Sequence, residues 1–261
     1  MTEARLIAIS MRDGATWLTL SRPERGNSLN VDLLNQLHMA IDEAPTDQPI
    51  VLTGAGRAFS TGGDILQCLQ HAGDPDGLRD YADRLVGALN RVMLALWDCP
   101  APILAAVNGP MTGGSLGLAL VADRIIMARS AFVQPWYGAM GFAPDGGWTA
   151  LLPTRIGTAR ARAWIAGDDR QSAETCLAMG LCDAVVDDDQ LSGTLKTDIA
   201  RLNALDPAVL RAARTLIGPD RDTLACGLDA ERKAFIDLVA RPETIARMRA
   251  FAASHAKGAN S

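Results

Sequence analysis

The chain has 261 residues, 48% hydrophobic and 21% charged, enough for a sizeable soluble core in one large domain or a domain with an appendage. A net charge of −5 without any basic run argues against nucleic acid as the main partner, and no stretch approaches about eighteen uninterrupted apolar residues, so no membrane span is expected. Cys68, Cys99, Cys176, Cys182 and Cys226 are odd in number and form no CxxC pair, which disfavours a disulfide framework or a zinc site; with "MTEARLIAIS" lacking a secretory apolar core, a reducing cytoplasm fits.

In chain order, "RLIAISMRDGATWLTLSRP" predicts a β-hairpin turning at Asp13-Gly14. Asn30 caps a predicted helix running to about Glu43, with Leu33, Leu34, Leu37 and Ile41 at helical spacing. "PIVLTG" reads as a buried strand, "GGDILQCLQ" as the start of a helix, and residues 78–97 as a longer helix. "APILAAVNG", the buried helix "GGSLGLALVAD" and the strand "RIIMA" follow. Helices are then expected near 146–152, 155–165 and 172–179, with "DAVV" as the last strand. Residues 190–261 read as a helical tail carrying exposed apolar positions such as Phe235, Ile236, Leu238 and Phe251, and such a tail usually packs on its own core or on another subunit. Strands followed by helices indicate an α/β architecture.

Two strand-to-helix junctions are rich in glycine: "VLTGAGRAFSTGGDI" (51–65) and "AAVNGPMTGGSLGLAL" (106–120). Glycine lets backbones approach closely, and a helix start presents unpaired N–H groups, so two facing junctions could form an oxyanion hole. Competing motifs fit less well. "GAGRAF" is an incomplete dinucleotide fingerprint with Phe59 at a position that needs a small residue. "GGSLG" has the letters of a nucleophile elbow, but "NGPMT" separates it from its strand, and the histidines are only His38, His71 and His255.

The segments "SRPERGNSLN", "GRAFSTGGDI", "PILAAVNGPMTGGSLGLALVADRIIMA" and "LPTRIGTARARAWIAGDDRQSAETCLAMGLCDAVV" together resemble the crotonase, or enoyl-CoA hydratase/isomerase, superfamily over nearly the whole chain. The resemblance implies a spiral of ββα units over 1–189 followed by a helical trimerisation region over 190–261. It implies a homotrimer or dimer of trimers that acts on an acyl-CoA thioester, with no metal and no cofactor beyond the coenzyme A of the substrate. It assigns the oxyanion hole to the N–H groups of Ser60 and Gly114, and substrate contacts to Arg25, Ala58, Asp64, Gly113, Trp136 and Tyr137. Arg22 and Arg57 also lie near the segments that hold coenzyme A in the family.

The two glutamates that family hydratases use fall here on Gly117 and Trp136, so two-carboxylate addition of water is not expected. What remains is Asp145 in "GFAPDGGWTALLP", at a position resembling the single acid of family isomerases. It also lies one residue from the nucleophile position of aryl-CoA dehalogenases, but those use a histidine before the second junction, and none occurs between residues 72 and 254. Pro-Asp-Gly-Gly is also good helix-capping chemistry. Asp145 therefore either caps a helix or moves a proton in an apolar setting of Trp136, Tyr137, Met140, Phe142 and Trp148. Asp123 reads as structural. The expected activity is double-bond isomerisation of an enoyl-CoA. A hydratase, a thioester hydrolase, a dehalogenase and a non-catalytic acyl-CoA-binding protein stand as alternatives.

Overall fold

The computed structural model describes residues 5–258, with side chains to residue 254. Strands β1 (Ile7–Arg12) and β2 (Ala15–Leu20) form the predicted hairpin. Asp13 and Gly14 both take positive φ, 54° and 77°, as a two-residue primed turn requires. Helix α1 (Val31–Asp42) starts where Asn30 accepts the Leu33 amide at 2.8 Å. Then come β3 (Ile50–Gly54), α2 (Ile65–His71), α3 (Pro75–Asp98), β4 (Ile103–Val107), β5 (Met111–Thr112), α4 (Leu116–Leu120) and β6 (Arg124–Ala128). The second half holds β7 (Phe132–Gln134), α5 (Tyr137–Met140), α6 (Leu152–Ile156), α7 (Thr158–Gly167), β8 (Gln171–Ser172), α8 (Ala173–Met179) and β9 (Ala184–Val186). Every described element beyond is helical: a 3-10 turn, α9 (Leu191–Asn203), α10 (Pro207–Ile217), α11 (Arg221–Val239) and α12 (Pro242–Gly258).

Six strands form one sheet in the order β1-β2-β3-β4-β6-β9, parallel except for the hairpin. Strands β3, β4 and β6 are near-continuous apolar runs because both faces of a parallel sheet are covered. A second sheet, β5-β7-β8, was not legible in the sequence, because its strands are only two or three residues long. Among the described residues no helix is long and apolar enough to cross a membrane.

The tail packs first on its own chain. Helix α11 lies along α3, and α12 contacts α2 and α5. Phe235, read from sequence as exposed, is buried, whereas Val209, Leu216 and Ile217 of α10 are exposed.

The helix expected at 146–152 does not form; residues 146–151 are successive turns, and α6 begins at Leu152. Gly146 and Gly147 adopt φ of 61° and 80°, which a right-handed helix excludes. The amides of the turn are captured from a distance instead. Glu231 of α11 accepts from the N–H groups of Gly147 (2.7 Å), Thr149 (2.6 Å) and Ala150 (2.9 Å), and from the Thr149 hydroxyl (2.7 Å).

Candidate active site

The two glycine-rich junctions meet. Ser60 forms an isolated bridge with Met111, so its N–H donates to Pro110 O and its carbonyl accepts from Thr112 N, both at 3.1 Å. A peptide paired on both sides and fully buried cannot bind a substrate oxygen. Ser60 is thus not the first oxyanion donor, contrary to expectation.

The amides after Ser60 are nearly all paired. Thr61 N–H donates to Gly26 O, Gly62 N–H to Ser60 Oγ, and Asp64 N–H to Leu29 O. Among the described residues no acceptor takes the N–H of Gly63, which lines the adjoining cavity. The same holds for Gly114 at the second junction. Sequence offers no local sign that selects Gly63 over Ser60, because the choice depends on pairing with residues 110–112.

The cavity has a volume of about 580 Å³. Leu29, Leu34, Leu85, Leu89, Met140 and Phe142 make its wall largely apolar, and the C-terminal helices add Phe235 and Phe251. Of the residues expected to bind substrate, Arg25, Asp64, Gly113, Trp136 and Tyr137 line it. Ala58 does not: it is buried away from the cavity, and its carbonyl accepts from Asn27 Nδ2 at 2.8 Å. Arg22 is buried, donating to Ser28 O and Asp64, while Arg57 is exposed and off the cavity.

Among the described residues three carboxylates line the cavity. Glu24 sits at the exposed rim. Asp64 caps α2 through the Gln67 amide and is paired with Arg22 (3.0 Å) and Arg25 (3.6 Å). Among the described residues Asp145 has no cationic partner; the Tyr137 hydroxyl donates to its Oδ1 at 2.7 Å. Burial pushes the Asp145 carboxyl up to about 7, helped by the nearby Glu231 charge and opposed by the Tyr137 hydrogen bond. Tyr137 is itself driven well above its usual range by burial and by the neighbouring Asp145.

Close backbone packing sets the position of Asp145. A Cβ built on Gly114 would lie 2.8 and 2.9 Å from the two Asp145 oxygens, so the carboxylate rests directly on this glycine beside its free amide. A Cβ on Gly117 would lie 2.6 Å from the Gly146 carbonyl. Position 117, to which the resemblance assigns a hydratase glutamate, is therefore filled by the turn that follows Asp145 and by the Met93 side chain. Trp148 does not line the cavity; it is fully buried behind Tyr137, at 5.7 Å between ring centroids.

Other expected bystanders take structural roles. Asp123 accepts the Ile103 amide (2.7 Å) and pairs with Arg214 (2.9 Å). His38 pairs with Asp42, and His71 stacks on Tyr81; the His255 side chain lies outside the described residues. Glu231 was missed in the sequence reading. It falls on the apolar stripe Leu224, Leu228, Phe235, Val239 of α11, and an acid inside such a stripe is the signal that could have flagged it.

Residues 11–254 match the sequence profile described as enoyl-CoA hydratase/isomerase. A protein of Rhodobacter capsulatus named probable enoyl-CoA hydratase is 37% identical over 67% of this chain and 66% of its own length. The 1,2-epoxyphenylacetyl-CoA isomerase of Escherichia coli is 35% identical over 84% of each chain. Among solved structures, an enoyl-CoA hydratase from Bacillus halodurans superposes with a TM-score of 0.87 over 94% of this chain and all of its own, at 23% identity, a likeness of fold. The profile match and the extent of these alignments show that the chain belongs to the enoyl-CoA hydratase/isomerase family, the crotonase superfamily.

Proposed function

We propose that this protein shifts the double bond of an enoyl-CoA through a thioester enolate, with Asp145 as the one acid/base and the N–H groups of Gly63 and Gly114 as the oxyanion hole. The observation that carries this reading is a buried carboxylate without a cationic partner among the described residues, its pKa raised to about 7 by burial, lying against a glycine whose amide is free. A thioester oxygen drawn to that amide would leave its α-carbon two bonds away, on the side of the glycine against which Asp145 lies. Ionised Asp145 takes the α-proton, the electron pair moves onto the carbonyl oxygen, and the protonated acid returns the proton at the γ-carbon. One such donor is worth about 3 kcal/mol in the barrier. Near-neutral basicity suits both halves of the transfer.

The occupied position at Gly117 supports isomerisation over hydration, since the second carboxylate needed for water addition has no room there. Arg25 at the cavity rim is suited to the anionic coenzyme A end of the substrate, and the apolar wall to its acyl group. The exposed apolar positions of α10 support assembly into a homo-oligomer, which sedimentation tests directly.

The test is incubation with a 3-enoyl-CoA in D2O. Expected products are the 2-enoyl isomer with deuterium at the exchanged carbons, and in Asp145→Asn a loss of turnover of about 10³-fold. Hydroxyacyl-CoA or free CoA as the main product, or full turnover by the variant, overturns the reading.

A further inference from the structure

Gly113 and Gly114 share one peptide, and both its ends matter. Its N–H belongs to Gly114 and lies open to the cavity; its C=O belongs to Gly113 and accepts from the indole Nε1 of Trp148 at 2.8 Å. A peptide between two glycines is the easiest kind to rotate, because no Cβ restricts either neighbour. Gly113 sits at φ of 53°, and its carbonyl also accepts from the Leu116 N–H, so a turn of this unit would swing the Gly114 N–H away from the cavity only by breaking both bonds. Of the two, the Trp148 bond is the one a side chain supplies.

The indole is itself held firmly. Its ring is fully buried and meets Tyr137 and Trp164 edge-on, at 5.7 and 5.0 Å between centroids. It rides on the turn that carries Asp145, and Glu231 holds the amides of Gly147 and Thr149 on either side of it. A donor on the carbonyl also polarises the peptide, strengthening its N–H by roughly 10–30%.

We propose that Trp148 is a positioning residue for the oxyanion hole: its indole N–H locks and polarises the Gly113–Gly114 peptide so that the Gly114 N–H points at the substrate oxygen. This rests on the proposed function above, in which Gly114 is an oxyanion donor. The acid and the anchor of the oxyanion peptide thus come from one turn, three residues apart.

The test compares the wild type, Trp148→Phe, and a protein with benzothienylalanine at 148, which replaces N–H by sulfur at almost unchanged shape and covers the case in which the phenylalanine variant fails to fold. The probe is octanoyl-CoA labelled with 13C at the thioester carbonyl, read by isotope-edited infrared when bound, together with the rate of α-deuterium exchange. In the wild type the carbonyl stretch falls below that of free octanoyl-CoA. Without the N–H it returns at least half way, and α-exchange slows about 5- to 20-fold while octanoyl-CoA affinity stays within about twofold, less than the loss of a whole donor. Equal carbonyl shifts in wild type and variants, with equal exchange rates, overturn the role of Trp148 and leave the oxyanion hole standing. No shift in the wild type overturns both.

Discussion

Asp64 and Asp145 face the same cavity, both buried and both beside glycine pairs, yet the fold treats them in opposite ways. Asp64 caps α2 and meets two arginines, so its charge is answered on every side. Asp145 sits before two glycines whose turn never becomes a helix, and the amides it might have capped belong to Glu231. It keeps one hydroxyl partner and an open face. An aspartate becomes chemically available when another group has already satisfied its surroundings.

The sharpest way to break this comparison is charge removal at each site. Asp64→Asn leaves Arg22 buried without its counterion and should cost about 3–5 kcal/mol of stability by urea denaturation. Asp145→Asn should do the reverse. Asp145 holds its proton more tightly folded than unfolded, so its contribution to stability is complete below about pH 4 and is lost as pH rises through about 7. The asparagine variant should match the wild type near pH 4 and exceed it by roughly 2–4 kcal/mol at pH 8. Equal destabilisation of both variants at pH 8 would mean that Asp145 is a structural anchor like Asp64.

A smaller effect is expected at Glu231. Glu231→Gln turns one acceptor oxygen into a donor facing buried amides, costing about 1–3 kcal/mol, visible as a lowered urea midpoint. The smallest is at Tyr137. Its hydroxyl favours the ionised Asp145, so Tyr137→Phe should move the midpoint of the pH–activity curve upward from about 7 by about one unit, with activity recovering at higher pH. A curve that keeps its midpoint and only loses height would mean that the hydroxyl packs without tuning the acid.

The hairpin turn, the Asn30 cap, the apolar strands and both glycine junctions were legible because each is set by neighbours within a few residues. So was the absence of an acid at positions 117 and 136. The helix predicted at 146–152 failed because capping chemistry was read locally while the cap came from Glu231, more than eighty residues away in the chain. The expectation that Ser60 is a donor rests on the same local basis, and its pairing with residues 110–112 overrides it.

By itself the amino-acid order determined the α/β pattern, the resemblance of the junctions to one superfamily, and the reduction of candidate acids to Asp145. Only the tertiary structure decided which amides stay free, which residue caps the 146–151 turn, and that Phe235 and Phe251 close over the cavity. Periodicity and capping propensity act along the chain, whereas each buried N–H takes whichever acceptor the fold brings within about 3 Å, and that partner is chosen across the whole molecule.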